Sequence, residues 1–496
     1  MSQYARTPPP RDQSEQALPN VARRHWITLG SAYVLLGAAA WILAQFVDAD
    51  DWWVHGLWCV IGLAVALPAL VRAVGDGFAN VLGDHRVVFL GAFALYFLFG
   101  AALLAFGSEI QVDSALRYYP IAAHEAMRVN AINAAGFGIA ILSATLSPGR
   151  WMWAQAARAA GLVARVPDAV VVGSFLLIGG ACSAYVLAYD LGFREGTVPG
   201  VVRITGKLVY VALFLAAMHR GRLEWSLRLS GVALMLLVGV GGLVQFNKLE
   251  VLLAVAAFVA GLALRFGSRK VLTAGLAALG ALYLLLGDVT SYGRSAVRYE
   301  GATTISERWR IFRDTWRDTR ELTESEEYGA WARLCYTPPQ MAAIDYWDMG
   351  EGGDGFKLLP WVFVPRAAVS DKPEITKTGR DFNAKITGQD TSSTGQGIFV
   401  SGYYHGGPWG FIFASIVCGW ILAQTSAVAR AVMNRRALLL LPFGLLGMFI
   451  AFRIDGDFVS DYVGAFVFIL YPVAALSLVS AAVGGRHGVA SRSANG

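Results

Sequence analysis

The stretch VVFLGAFALYFLFGAALLAFG, residues 87–107, decides the fold, because it carries no charged side chain over its whole length. A helix rises about 1.5 Å per residue, so a run of this length crosses the ~30 Å hydrocarbon core of a bilayer. No water is available there, and a helix satisfies its backbone hydrogen bonds internally. The stretch therefore predicts a transmembrane helix.

The same pattern recurs along the chain, which has 496 residues, 56% of them hydrophobic and only 15% charged. A soluble protein would carry about 25% charged residues. The apolar segments lie at residues 27–47, 53–71, 87–107, 129–147, 169–189, 201–218, 229–246, 250–264, 271–287, 398–426, 438–452 and 462–481. We therefore predict an all-α polytopic integral membrane protein with about 12 transmembrane helices.

The positions of Lys and Arg predict the orientation, because short loops rich in these residues stay in the cytoplasm. Such residues are concentrated in alternate short loops, for example at Arg23-Arg24, Arg220/Arg222 and Arg435-Arg436. Both termini are then cytoplasmic, and the net charge of +6 reports topology rather than nucleic-acid binding. The predicted parts are a disordered cytoplasmic tail (1–26), helices 1–9 (27–287), a large periplasmic loop (288–397), helices 10–12 (398–481) and a second cytoplasmic tail (482–496).

The large loop begins with an amphipathic pattern in TTISERWRIFRDTWRDTREL, residues 303–322. Apolar residues recur there at spacings of three and four, which predicts one apolar helix face. Thr304 and Glu307 fit a capping box at the start of that helix. We expect a helix that lies in the membrane interface, and a second short helix at QMAAIDYWDM, residues 340–349.

Two proline–cation pairs follow in LLPWVFVPRAAVSDKP, residues 358–373. Pro365 precedes Arg366, and Pro373 follows Lys372. Proline fixes its own φ and restricts the preceding residue, so the backbone beside both cations is stiffened. Stiffly held cations suit the binding of a phosphate group.

These residues resemble the Wzy-type oligosaccharide repeat-unit polymerases of bacterial O-antigen and exopolysaccharide assembly. The resemblance rests on Pro365-Arg366, Lys372-Pro373, Gly379, SGYYHGGPWGFIF (401–413) and the helix start at Asn247-Lys248. The chain departs from the pattern at Ser401-Gly402, where many members carry a glutamate before the aromatic residue.

The resemblance implies a GT-C-like membrane fold with its active site at the periplasmic face of the bacterial inner membrane. It implies polymerisation of undecaprenyl-diphosphate-linked repeat units by glycosyl transfer, with the lipid diphosphate as leaving group and no cofactor. The partners would be a lipid-linked glycan donor, a lipid-linked acceptor and membrane lipids. Whether a chain-length regulator binds, and whether the enzyme retains or inverts, stays open.

Candidate site residues follow from this reaction, in which arginines stabilise the diphosphate and a base removes the acceptor proton. The catalytic candidates are Arg366 and His405. The candidates for binding substrate or diphosphate are Lys372, Arg380, Arg194, Arg203, Lys207, Tyr403, Tyr404 and Arg453. Solvation or snorkelling toward headgroups explains such cations equally well, and a lone histidine is often a structural hydrogen-bonding residue.

Other functions receive less support from the sequence. The pairs Asp48/Asp50 and Asp455/Asp457 offer oxygen ligands to a divalent cation, but two carboxylates are a weak signal, so no metal site is predicted. An O-antigen ligase of the same class stays open. A twelve-helix transporter or flippase also stays open, although the halves show no repeat and the ionisable residues gather outside the predicted spans.

Overall fold

A computed structural model describes residues 20–147, 149–164, 166–193, 198–221, 223–301, 304–322, 331–365, 369, 371–389 and 393–493. Every regular element in these ranges is helical. The prediction of an all-α, polytopic helical membrane protein is confirmed at this level.

The α-helices are numbered in chain order. The first eleven are α1 (Asn20–Leu43), α2 (Trp52–Gly75), α3 (Phe78–Gly83), α4 (His85–Phe93), α5 (Leu103–Phe106), α6 (Glu109–Leu116), α7 (Ala123–Leu146), α8 (Arg150–Val163), α9 (Asp168–Asp190), α10 (Gly200–Gly206) and α11 (Leu208–Met218). The others are α12 (Glu224–Val244), α13 (Lys248–Phe266), α14 (Arg269–Glu300), α15 (Ile305–Leu322), α16 (Thr337–Asp348), α17 (Gly355–Val362), α18 (Lys377–Thr387), α19 (Ile398–Arg435), α20 (Leu441–Phe452) and α21 (Gly464–Ser493). Two π-helices (Ala94–Gly100, Phe458–Val463) and two 3₁₀ turns (Ala332–Leu334, Leu438–Leu440) complete the described elements.

All twelve predicted apolar segments fold as helices, and ten helices of the described chain are long and apolar enough to cross a membrane. The other two segments give shorter apolar helices, Leu208–Met218 and Leu438–Phe452. The first of these is shortened because a turn at Lys207 interrupts the helix and divides it into α10 and α11. Helix α1 begins at Asn20 and α21 runs to Ser493, so helix extends into both predicted tails.

The described part of the long loop, α15 to α18, packs at one end of the helix bundle, which we term the loop end. Its contacts there include Trp331 Nε1 donating to the Phe99 carbonyl at 2.7 Å. The start of α1 lies at the opposite end, where the Arg86 guanidinium sits 4.8 Å from the Trp26 ring. Helix α21 also reaches that opposite end, where Ser477 donates to Gln155 of α8.

Glycines allow α1 and α7 to pack closely in the centre of the bundle. A Cβ added at Gly138 would lie 2.5 Å from the Gly30 carbonyl oxygen and 2.7 Å from the Val34 nitrogen. Beside this contact, the Tyr33 ring packs edge-on against Phe137 at 4.8 Å. Close backbone approach through small residues is how helices associate in lipid, where the hydrophobic effect between helices is absent.

The predicted amphipathic helix and its capping box are both confirmed in α15. The Thr304 N–H donates to Glu307 Oε2 at 3.0 Å, and the Glu307 N–H donates to Thr304 Oγ1 at 3.4 Å. Ile311 is buried against Phe246, while Trp309 and Trp316 of the same helix stay about half exposed. The helix thus packs one face on the bundle and leaves its tryptophans on the surface.

We expect Gly138→Val to destabilise the protein, because its side chain has no space beside Gly30 and Val34. Overpacking of this kind costs about 1–3 kcal/mol. The measurement is the temperature at which detergent-purified protein loses its monodisperse gel-filtration peak. The control is Gly280→Val in α14, where no heavy atom lies within 4 Å of the added Cβ. An equal loss of stability in both variants would contradict the close packing of α1 on α7.

Candidate functional site

Helix α19 is broken near its start by two glycines. Gly406 (φ −157°) and Gly407 (φ +60°, ψ −152°) have non-helical geometry, and Pro408 follows them. A Cβ at Gly407 would meet the Trp347 ring at 2.5 Å, so only glycine fits this turn. The break separates a short segment that ends at His405 from the long span that follows.

His405 lies in that short segment and is buried, with its side chain only 2% exposed. Its Nδ1 accepts a hydrogen bond from the Gly355 backbone N–H at 3.1 Å. Its Nε2 therefore carries the proton and donates to Asp457 Oδ2 at 3.2 Å. Both ring nitrogens are engaged, so the geometry favours a structural role for His405 over its predicted role as base.

Asp457 holds the other end of this contact and accepts several further hydrogen bonds. The Ser401 hydroxyl donates to its Oδ2 at 2.9 Å. The N–H groups of Val459 and Ser460 donate to its Oδ1 at 2.9 and 2.8 Å. Burial alone would raise the pKa of Asp457, but the hydrogen bond from His405 and those from Ser460 and Ser401 lower it to about 2. The carboxylate is therefore ionised, and each of its oxygens accepts two hydrogen bonds inside the protein.

The two tyrosines before His405 contact the long loop. The Tyr403 hydroxyl donates to Asp348 Oδ1 at 3.0 Å, and Arg128 pairs with the same carboxylate at 2.9 Å. Tyr404 is buried, and its ring packs on Phe382 at 5.2 Å. These tyrosines fix α16 and α18 against α19, and only Tyr403 remains partly exposed.

A polar cluster surrounds Arg453, between α20 and the π-helix Phe458–Val463. The Tyr336 hydroxyl donates to Asp455 Oδ2 at 3.1 Å. Arg453 lies 3.3 Å from Asp455 and 3.5 Å from Asp461. Burial alone would lower the pKa of Arg453, but the two carboxylates raise it above its ordinary value. Burial and then the Asp455 carboxylate raise the pKa of Tyr336 well above its ordinary value.

Further cations on α13, α14 and the long loop lie near this cluster, because Tyr96 interacts electrostatically with both Arg453 and Tyr283. Lys248 Nζ lies 4.2 Å from the centre of the Tyr283 ring, and Tyr283 interacts electrostatically with Arg333. Partial desolvation and then the like charge of Arg333 lower the pKa of Arg294. We call Lys248, Arg294, Arg333 and Arg453 the cationic group. Arg294 and Arg333 were missed by sequence reasoning, because nothing in their local patterns separates them from other loop arginines.

Buried polar atoms without a hydrogen-bond partner lie in the same region. They include Arg453 Nε, Asp455 Oδ1 and both amide atoms of Gln396, a residue with no exposed surface. The Arg453 and Asp455 atoms are near each other but lack hydrogen-bond geometry. Gln396 is adjacent to Gly397, whose N–H donates to the Asp455 carbonyl at 3.1 Å. Unsatisfied buried polar atoms are costly, and a bound ligand or water commonly satisfies them.

Arg203 and Lys207 line a separate cavity of about 250 Å³ at the loop end. Arg203 pairs with Asp190 at 3.2 Å, and Lys207 pairs with Glu250 at 2.8 Å. Arg308 of α15 approaches from outside and donates to the Asp190 carbonyl at 3.1 Å. The structure therefore brings these two predicted residues together, each with its own carboxylate.

The remaining predicted cations are placed elsewhere or lie outside the described residues. Lys372 Nζ donates to the Val364 carbonyl at 2.7 Å, and Arg380 pairs with Glu374 at 2.6 Å. Arg366 and Arg194 lie outside the described part of the chain.

The loop end thus presents a cationic group beside carboxylates and, separately, a cavity lined by paired charges. Such a combination can bind a polyanion at one point and a neutral polar ligand at another. Comparisons of the chain with protein-family models, with curated proteins and with solved structures find no match.

We expect Asp457→Asn to lower thermal stability, because the carboxamide cannot accept all four hydrogen bonds that the carboxylate accepts. Leaving a buried donor unsatisfied costs about 1–3 kcal/mol. Melting temperatures in detergent would measure the effect. Asp354→Asn makes the same change at a carboxylate whose side chain is 75% exposed, and it should leave stability unchanged. Equal melting temperatures for Asp457→Asn and wild type would contradict a stabilising role for the hydrogen bonds that Asp457 accepts, which we term the Asp457 clamp.

Proposed function

We propose that this chain polymerises undecaprenyl-diphosphate-linked oligosaccharide repeat units at the periplasmic face of a bacterial inner membrane. The observation that carries the proposal is the cationic group, which gathers Lys248, Arg294, Arg333 and Arg453 at the loop end of a membrane-type helix bundle. A lipid diphosphate is a substrate that needs cations at the membrane surface, because its charged group lies where its lipid tail leaves the membrane.

The proposed reaction transfers the growing glycan to a hydroxyl of the incoming repeat unit. The bond between the anomeric carbon and the phosphate oxygen breaks, and its electron pair leaves with the diphosphate. A new bond forms between the anomeric carbon and the acceptor oxygen. Arginines stabilise the charge that develops on the diphosphate, since charge-assisted hydrogen bonds to phosphate are short and strong.

Asp455 is the group we assign to remove the proton from the acceptor hydroxyl. Its Oδ2 accepts from the Tyr336 hydroxyl, whereas its Oδ1 lies 3.3 Å from Arg453 Nε and makes no hydrogen bond. His405, the base suggested by the sequence pattern, has both nitrogens bound. A carboxylate that is held at one oxygen and makes no hydrogen bond through the other is oriented for general-base catalysis.

Apolar surface for the lipid tail lies beside Arg453. The Arg453 guanidinium sits 5.9 Å from the Phe449 ring, and both Phe449 and Phe452 are partly exposed. A polyprenyl chain lying along α20 would present its diphosphate to Arg453. Arg366 stays in the proposal as a further diphosphate ligand, on the strength of the Pro365-Arg366 resemblance.

The test is an assay of purified protein in nanodiscs with lipid-diphosphate-linked repeat units, EDTA and no nucleotide sugar. Wild type should give a ladder of products on a gel. Arg453→Ala should slow polymerisation by about 10²-fold or more, the usual effect of removing one donor to a developing anion. Arg453→Lys should retain part of the activity, because it keeps the charge without the planar donor geometry.

The matched control is Arg310→Ala, which removes an exposed arginine paired with Glu300 at the same end of the bundle. It should leave the ladder intact, and gel filtration should show all three variants folded. Failure of wild type to extend its authentic repeat unit would refute the proposal. Transfer only to a different lipid acceptor would identify a ligase, and lipid movement without chemistry would identify a flippase.

A further inference from the structure

The cavity that contains Arg203 and Lys207 differs chemically from the cationic group. It lies between the loop ends of α9, α10, α12 and α13. Its charged and amide-bearing lining residues, which define what we term the polar cavity, are Asp190, Arg203, Lys207, Gln245, Asn247 and Glu250. The remaining lining is largely apolar, apart from Ser183 and one aromatic residue, Tyr210.

The charges of the polar cavity cancel among its described lining residues. Arg203 pairs with Asp190, and Lys207 pairs with Glu250, so two cations face two carboxylates. A diphosphate would have to break both pairs and would then lie beside the two freed carboxylates. The sequence-based expectation that Arg203 and Lys207 bind diphosphate therefore has little electrostatic support from this geometry.

Neutral hydroxyl groups suit the polar cavity better. Its carboxylates accept hydrogen bonds, its cations donate them, and the amides of Gln245 and Asn247 do both. Val209 and Val238 add apolar wall, and a sugar ring has apolar faces between its hydroxyl-bearing edges. The volume of about 250 Å³ is below the ~300–1,000 Å³ of pockets for drug-sized ligands, which limits the ligand to about one sugar ring.

The turn between α12 and α13 separates the polar cavity from the cationic group. Asn247 lines the cavity, and the next residue, Lys248, is a member of the cationic group and contacts the Tyr283 ring. Phe246 holds this turn in the left-handed region, with φ +53°, an unfavourable conformation for a bulky residue. Its carbonyl accepts a hydrogen bond from Arg294 Nε at 2.8 Å. Strained backbone that the surroundings hold in place is typical of functional sites.

We infer that the polar cavity binds one neutral sugar residue, the end of the acceptor glycan that the proposed function requires. The role as acceptor site rests on that proposed function, whereas the binding of a sugar does not. A sugar held here lies beside the turn that carries Lys248 of the cationic group. The cavity thereby selects the acceptor by its hydroxyl groups, and the cationic group selects the donor by its charge.

The test is saturation-transfer NMR on full-length protein in nanodiscs, which avoids glycoside detergents that would compete. The probes are glucose, galactose, mannose, N-acetylglucosamine and rhamnose, with inorganic pyrophosphate as the anionic probe. At least one sugar should bind wild type. Glu250→Gln should weaken that binding about fivefold, the effect of losing one hydrogen bond of about 1 kcal/mol. The same variant should strengthen pyrophosphate binding, because Lys207 loses its carboxylate partner.

Glu109→Gln is the matched control, since it makes the same change at an exposed residue in the first turn of α6. Asn247→Ala is a second cavity variant and should also weaken sugar binding, while α13 keeps its start because Asn247 makes no side-chain cap. Binding of no sugar to wild type would overturn the inference, as would sugar binding that neither variant alters. Sugar binding without a polymer ladder would support the cavity while refuting the polymerase, so the two failures are distinguishable.

Discussion

The buried carboxylate of Asp457 is the contact on which the loop end depends. It accepts hydrogen bonds from Ser401 and His405 of α19 and from the backbone of Val459 and Ser460. Burying a charge costs several kcal/mol unless its hydrogen bonds are satisfied, and loss of any one donor exposes that cost. The start of α19 and the π-helix before α21 are therefore held in one relative position.

Two other parts of the loop end take their positions from this clamp. The Gly355 N–H donates to His405, and the Gly353 N–H donates to the Tyr404 carbonyl, so the glycine-rich turn before α17 lies directly on it. Glycine is required at Gly353 and Gly355, because a Cβ at either would lie within 2.6 Å of the His405 ring. Arg453 and Asp455 precede the clamped carboxylate by only a few residues, so the clamp also fixes the proposed catalytic groups.

The sequence predicts the features that depend on residues close together in the chain, namely the helices and their start signals. Apolar runs located every helix of membrane-spanning length, and the Thr304–Glu307 spacing identified the start of α15. The sequence did not predict contacts between residues that are far apart along the chain. His405 lies 52 residues from its partner Asp457, and Lys207 lies 43 residues from Glu250. Without the fold, a cation that is paired with a carboxylate cannot be distinguished from one that faces a ligand.

That distinction decides which cations suit which substrate. Two unit charges 4 Å apart attract with about 4 kcal/mol at a protein surface, so a carboxylate beside a lysine removes most of its attraction for phosphate. Lys207 and Glu250 balance one for one, whereas Arg453 contacts both Asp455 and Asp461 and belongs to a group of four cations. A glycosyl transfer from a lipid diphosphate needs both environments, because the donor must lose an anion while the acceptor stays neutral until its proton leaves. The two sites meet at the turn from Phe246 to Lys248, where one strained residue separates the polar cavity from the cationic group.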